Sequence, residues 1–109
     1  MITNEEIEKA VNWLRDNAQN AAKARAEREY LDAYTKVLKA TIMREVEGLE
    51  SLGAQESRAL ADPRYQTHLE AWKISVEEDE RLRWLRAASE CKLEAWRSMQ
   101  ANERALSKI

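Results

Sequence analysis

The residues that interrupt helices are confined to one short stretch of this chain. Its single proline is Pro63 and its two glycines are Gly48 and Gly53, so all three lie between residues 48 and 63. Proline lacks a backbone donor, and glycine loses more conformational freedom on folding than other residues, so both disfavour helix interiors. The sequence therefore predicts a long helix on each side of a turn in this stretch.

Composition supports the same fold class. Hydrophobic residues make up 44% of the chain and charged residues 35%, which is typical of long helices with solvated faces. There is no phenylalanine, valine and isoleucine are few, and the dominant residues lose little side-chain freedom in a helix. A chain of 109 residues suffices for one core but not for two. We predict a single all-α domain.

The first helix is predicted over about residues 4–52. Thr3 or Asn4 serves as its N-cap, because a short side-chain oxygen accepts from the amides of the first turn. The segment between Asp16 and Asn20 offers competing hydrogen bonds to the backbone, but continuity is favoured. Gly53 is expected to end the helix in a left-handed conformation. The expected buried stripe is Ile7, Val11, Leu14, Ala18, Ala21, Leu31, Tyr34, Leu38, Ile42, Leu49 and Leu52.

A turn with a short helix is predicted over about 53–62, and a second long helix over about 63–106. Asp62 acts as its N-cap and Pro63 occupies the first turn, where a missing amide costs nothing. The motif Leu-Glu-Ala-Trp recurs 24 residues apart, which keeps both Trp72 and Trp96 on the inward face, and the stripe changes phase near Asp79. The expected buried residues are Tyr65, Leu69, Trp72, Val76, Leu82, Leu85, Ala88, Cys91, Ala95, Met99 and Leu106.

The short connector predicts a long antiparallel helical hairpin, similar to a coiled coil. Two helices cover only one side of each other, so we expect a homo-oligomer to complete the fold. The candidate interface with another copy or another protein comprises Trp13, Leu69, Trp72, Val76, Trp84, Leu85, Trp96 and Met99. Packing is the favoured role of the tryptophans. The alternative is that Trp84 or Trp96 stacks on unpaired bases.

Charge is segregated along the sequence although the net charge is only −2. Residues 9–44 hold eight basic residues against four acidic, residues 45–80 hold three against ten, and residues 81–109 hold seven against three. In a hairpin, this pattern predicts a basic open end and an acidic turn end. The basic residues either form ion pairs along the helix surface, which we favour, or bind nucleic acid. The nucleic-acid candidates are Lys23, Arg25, Arg28, Arg81, Arg83, Arg86, Lys92 and Arg97.

The residue types needed for catalysis do not occur in a recognisable pattern. His68 and Cys91 are the only histidine and cysteine, too few for a zinc site, and 23 positions on one helix separate them by roughly 35 Å. We expect Cys91 to be a small buried residue and His68 to lie at the surface or its boundary. No phosphate-binding glycine motif is present. We predict no metal, no cofactor, no small-molecule substrate and no catalytic residue.

The longest apolar runs are far too short for a membrane span, and the first residues lack the order of a secretory signal. With one cysteine, this predicts a cytoplasmic protein without a membrane partner. The segments 61–66 and 93–105 resemble small helical proteins from the early regions of tailed bacteriophages. That resemblance implies a place beside DNA replication or recombination genes and transfers no active residues.

Two functions follow as hypotheses. The first is a non-enzymatic helical interaction or scaffold protein that acts as a homo-oligomer. The alternative is a nucleic-acid-binding accessory protein of DNA replication or recombination, which would use the basic open end of the hairpin.

Overall fold

A computed structural model describes residues 1–108 and contains three α-helices. They are α1 (Asn4–Glu45), α2 (Leu52–Ala61) and α3 (Pro63–Ser107), and no strand occurs in this part of the chain. The predicted all-α helical hairpin is confirmed. The chain packs as two compact units: the terminal unit, residues 1–22 with 80–108, and the turn unit, Lys23–Asp79.

Helix α1 begins as the sequence predicts and runs without interruption. The Thr3 hydroxyl accepts a hydrogen bond from the Glu6 amide at 3.1 Å, which caps the first turn. The Asn17 side-chain amide donates to the Trp13 carbonyl at 3.0 Å, so this side chain bonds to its own helix rather than breaking it. Continuity through residues 16–20 is confirmed.

The end of α1 was predicted too late. The helix ends at Glu45, and Gly48 has the only positive φ in residues 1–108, +81°. After a turn over residues 46–51 the chain enters α2, whose first turn is capped by the Ser51 hydroxyl, which accepts from the Ala54 amide at 3.2 Å. Gly53 therefore lies inside α2, and its predicted left-handed cap is wrong. Leu49 and Leu52, expected in the buried stripe, are exposed on this turn.

A single residue, Asp62, separates α2 from α3. Its amide donates to the Ala59 carbonyl at 3.3 Å and closes α2, while its carboxylate accepts from the Arg64 amide at 2.8 Å. The predicted cap at Asp62 and the start of the helix at Pro63 are both confirmed. Asp62 is in an extended conformation (φ −67°, ψ 134°), as expected of a residue that precedes proline.

The core of the turn unit is a contact among all three helices. Leu38 and Ile42 of α1 pack against Ala59 of α2, which is fully buried. Tyr34, Met43 and Tyr65 surround this cluster. Alanine at position 59 allows α2 to approach α1 closely, because a larger side chain would hold the helices apart.

The part of α1 in the turn unit runs antiparallel to the adjacent part of α3. Their facing residues alternate steps of three and four, which is the heptad spacing of a coiled coil. On α1 these residues are Ala24, Arg28, Leu31, Thr35, Leu38 and Ile42; on α3 they are Tyr65, His68, Trp72, Ser75 and Asp79. All are buried or half-buried. Asp79 therefore lies within this seam, and the phase shift predicted there is wrong.

In the terminal unit, Ile7, Ala10, Leu82 and Ser89 are buried. Trp13, Leu14, Ala21, Leu93 and Trp96 are half-buried. Trp72 and Trp96, both predicted to face inward, are half-buried, each in its own unit. Val11 and Ala18 are exposed rather than buried.

The predicted buried stripe of α3 is partly wrong in the terminal unit. Leu82 is buried as expected, but the face beyond it turns outward and Ser89 takes the inward position. The small hydroxyl of Ser89 fits a narrow contact between helices, because serine can also bond to its own helix. The buried stripe is therefore the one with fewer apolar residues. The residues wrongly predicted to be buried are Leu85, Ala88, Cys91, Ala95 and Leu106.

Candidate interaction surfaces

One buried ion pair joins α1 and α3 inside the turn unit. The Arg28 guanidinium lies 3.0 Å from the Asp79 carboxylate, and the Asp79 side chain is only 7% exposed. Both residues occupy the helix seam. Arg28 is thus committed to a structural contact, although the sequence made it a candidate for nucleic-acid binding.

A second buried polar contact links Thr35 to His68. The Thr35 hydroxyl lies 2.7 Å from His68 Nε2 and 3.1 Å from the Leu31 carbonyl. A hydroxyl has one hydrogen, so if it donates to the carbonyl, Nε2 of His68 must donate to the hydroxyl. His68 is buried, contrary to the expected position at the surface or its boundary. Its ring lies between those of Tyr34 and Trp72, at centroid distances of 5.5 and 6.5 Å.

Ion pairs surround the connection between the helices. Arg64 reaches Glu45 at 2.6 Å and Asp62 at 3.0 Å, and hydrogen bonds from Arg64 lower the pKa of both carboxyls. The same bonds, first that to Asp62, raise the pKa of Arg64. Lys39 binds Glu56 at 2.6 Å and lowers its pKa. These contacts between charged side chains add to the apolar packing of Ala59 against Leu38 and Ile42.

A further ion pair joins Arg58, inside α2, to Glu50, which precedes the helix. The hydrogen bond from Arg58 lowers the pKa of Glu50, and the carboxylate in turn raises the pKa of Arg58. The segment before α2 is therefore tied to the helix that follows it.

The eight basic candidates divide between the two units. Lys23, Arg25 and Arg28 belong to the turn unit, and Arg81, Arg83, Arg86, Lys92 and Arg97 belong to the terminal unit. Most have carboxylate neighbours. Arg25 lies 2.8 Å from Glu29, and the hydrogen bond to this carboxylate raises the pKa of Arg25. Glutamates lie within 3.6 to 3.8 Å of three others: Arg83, Arg86 and Arg97. The ion-pair interpretation of these residues is the better supported.

The candidate interface residues differ in how much surface they offer. Trp84 is 72% exposed and Leu85 is 39% exposed. The other six are half-buried: Trp13, Leu69, Trp72, Val76, Trp96 and Met99. Of the eight, only Trp84 and Leu85 are exposed.

Trp84 and Leu85 begin an exposed apolar stripe on α3, in the terminal unit. The α3 outer stripe consists of Trp84, Leu85, Ala88, Cys91 and Ala95. Ala88, Cys91 and Ala95 follow Leu85 at steps of three or four residues, and Trp84 lies four residues before Ala88, so the five residues share one side of the helix. Four of the five were predicted to be buried, and the apolar periodicity that suggested burial therefore marks an open surface.

A second exposed apolar stripe lies on α1, in the turn unit, and was not recognised in the sequence. The α1 outer stripe consists of Ala26, Tyr30, Ala33, Val37 and Ala40, all exposed. Tyr30 is 62% exposed and Val37 is 55% exposed. The spacing alternates four and three, which is the spacing of a coiled-coil seam. The signal that could have revealed it is the repetition of alanine every seven residues, at 26, 33 and 40.

Other chemical groups in residues 1–108 form no recognisable site. No group of three or more His, Cys, Asp or Glu side chains is placed to hold a metal ion. Cys91 is exposed, where the sequence predicted burial. No helix in this part of the chain has a segment both long and apolar enough to cross a membrane.

Comparison of the chain with protein-family models, with curated proteins and with solved structures gave no significant match. Any functional interpretation therefore depends on the chain's own surfaces.

Proposed function

We propose that this chain is a non-enzymatic helical interaction protein that acts as a homo-oligomer and scaffolds a partner protein in the cytoplasm. The observation that carries the proposal is the α3 outer stripe, in which Trp84 and Leu85 are exposed beside three small residues. Contiguous apolar surface on a soluble chain marks an interaction site, whereas scattered apolar residues do not.

The chemistry of this stripe suits a helical partner. Tryptophan supplies more binding energy than most residues at protein interfaces, because it buries a large rigid ring. The small side chains of Ala88, Cys91 and Ala95 let another helix come close, as in tightly packed helix pairs. Trp84 would then act as the anchor, and the small residues would form the shallow groove beside it.

The buried polar residues support a structural rather than a catalytic reading. Asp79 faces Arg28, and His68 faces Thr35, each across the helix seam. Such contacts hold helices in register. The resemblance to early bacteriophage proteins adds the suggestion that the partner belongs to DNA replication or recombination.

Sedimentation equilibrium over a wide concentration range tests self-association. We expect a reversible oligomer at micromolar concentration, and a folded chain that stays monomeric throughout would overturn the homo-oligomer. The scaffold function has its own test. The wild-type chain and Trp84→Asp would be used as baits in the native host, with Leu106→Asp as a control at another exposed apolar site of α3. Proteins retained by wild type and by the control but lost by Trp84→Asp support the proposal. Identical profiles for all three baits would reject this face.

A further inference from the structure

We propose that the α1 outer stripe is the seam through which two copies of this chain pair, with their α1 helices antiparallel. The inference rests on the proposed homo-oligomer and assigns it a face, a direction and a register. Ala26, Ala33 and Ala40 repeat every seven residues, and Tyr30 and Val37 fall between them. This is the arrangement of a helix seam, yet all five residues face solvent.

Small and large side chains alternate along the stripe, and this alternation sets the register. In an antiparallel pair, each alanine of one copy lies opposite a larger residue of the other. Ala33 meets Tyr30 of the second copy, and Ala26 meets Val37. Each large side chain then fills the space beside an alanine, so the two helices interdigitate closely.

Charges on the flank of the stripe select the antiparallel direction. Glu29 and Lys36 lie on the same flank, seven residues apart. In the register above, Glu29 of each copy faces Lys36 of the other, which gives two symmetric ion pairs. In a parallel pair, the same flank would place Glu29 beside Tyr34 and Lys36 beside Thr41, with no ion pair. Glu29 also binds Arg25 at 2.8 Å, and a carboxylate has capacity for both partners.

The charges at the two ends of the stripe also favour antiparallel pairing. Lys23 and Arg44 continue the stripe at its two ends, and both are exposed. In a parallel pair, each of these cations would face the same residue of the second copy. Antiparallel helices place Lys23 opposite Ala40, and Arg44 opposite Gln19, so the like charges separate.

A seam variant and a matched control test the face. Ala33→Glu places a carboxylate at the centre of the stripe, and Ala18→Glu adds the same charge to an exposed alanine of α1 outside it. We expect Ala33→Glu to weaken the dimer by about tenfold or more, because it buries a charge opposite Tyr30. Ala18→Glu should leave the dimer unchanged. Both sites are exposed in the single chain, and circular dichroism verifies that each variant keeps its helices.

A charge exchange tests the direction. Glu29→Lys and Lys36→Glu should each weaken the homodimer, since each sets like charges against one another. Mixing the two variants should restore association, because every pair in the heterodimer is then of opposite sign. The double variant should also pair like wild type. If neither the mixture nor the double variant recovers, the antiparallel register is wrong.

The outcomes separate the inference from the function on which it rests. Absence of association in the wild-type chain would contradict both the proposed homo-oligomer and the proposed seam. An oligomer whose dissociation constant is the same in Ala33→Glu as in wild type removes the seam and leaves the homo-oligomer to another face. Loss of association in Ala33→Glu, with recovery in the charge exchange, supports the seam in the register described.

Discussion

The carboxylate of Asp79 on α3 is buried against the guanidinium of Arg28 on α1, with 3.0 Å between the paired atoms. A buried pair of this kind contributes less to stability than its Coulomb attraction suggests, because both groups lose their hydration. It strongly constrains how the two helices align, since displacement of either residue leaves a charge in an apolar contact.

This pair makes a prediction about stability. Arg28→Leu should lower the free energy of unfolding by about 1 to 3 kcal/mol, because the Asp79 carboxylate stays buried after the Arg28 guanidinium is removed. The double variant Arg28→Leu with Asp79→Leu should recover most of this loss. Urea titration followed by circular dichroism measures both values. As a control, Arg97→Leu removes the exposed ion pair with Glu94 and should change stability by less than about 0.5 kcal/mol. Equal losses in the single and double variants would contradict the interpretation.

The contact between Thr35 and His68 makes a second prediction. Thr35→Val keeps the side-chain shape but removes the hydroxyl that faces Nε2 at 2.7 Å. It should destabilise the chain by about 1 to 3 kcal/mol, the usual cost of leaving a buried polar group unsatisfied. Thr41→Val is the control, because that hydroxyl bonds only to its own helix on an exposed face. Similar losses in the two variants would mean that the histidine contact has no special weight.

Acid should weaken the connection between the helices. Arg64 lowers the pKa of Glu45 and Asp62, so these carboxylates favour the folded state while they are charged. Their contribution is present above the ordinary pKa values of 4.5 and 3.8, and it is lost as pH falls through the lower folded values. Thermal unfolding across this range should show stability falling with pH. The fall should be shallower in Arg64→Gln, and parallel curves would contradict the assignment.

The two glycines should respond to alanine in opposite ways. Gly48 has a φ of +81°, which strains any residue with a β-carbon, so Gly48→Ala should cost about 1 kcal/mol. Gly53 lies in α2 with open space around it, so Gly53→Ala should be neutral or stabilise the chain by up to about 1 kcal/mol. Melting temperatures of the two variants compare them directly. A stabilised Gly48→Ala would show that the turn adopts another conformation.

Single-stranded DNA should bind weakly, even at low salt. Glutamates lie close to Arg83 and Arg86, so releasing these cations to phosphate has a compensating cost. Fluorescence anisotropy with a labelled oligonucleotide gives the affinity and its salt dependence. Tight, salt-sensitive binding that is lost when Arg81, Arg83 and Arg86 are replaced together by alanine would instead favour the nucleic-acid accessory function.

Local signals predicted the helices well. Thr3 and Asp62 accept from free amides of a first turn, and Pro63 stands where a missing amide costs nothing, so the starts of α1 and α3 follow from the sequence. The end of α1 does not, because Gly48 and Gly53 are equally suited to a left-handed cap. The hydroxyl of Ser51 decides between them by starting α2 before Gly53.

The buried face of α3 could not be chosen from apolar periodicity. Two stripes compete there, and the one with more apolar residues includes Leu85, Ala88 and Cys91, all exposed. The inward stripe holds His68 and Asp79, which ordinarily argue for a surface position. Their burial depends on Thr35 and Arg28, far away in the sequence, and only the folded chain shows that these partners are present.

The contacts across the turn unit join residues that are progressively farther apart in the sequence. Lys39 and Glu56 are 17 positions apart, Glu45 and Arg64 are 19, Thr35 and His68 are 33, and Arg28 and Asp79 are 51. The entropy lost in closing a loop grows with its length, so the shortest loops close at the least cost. We therefore expect the contacts of this unit to form in sequence, first beside α2 and last between Arg28 and Asp79. Each contact shortens the loop that the next must close, which favours rapid folding despite the long separation of the final pair.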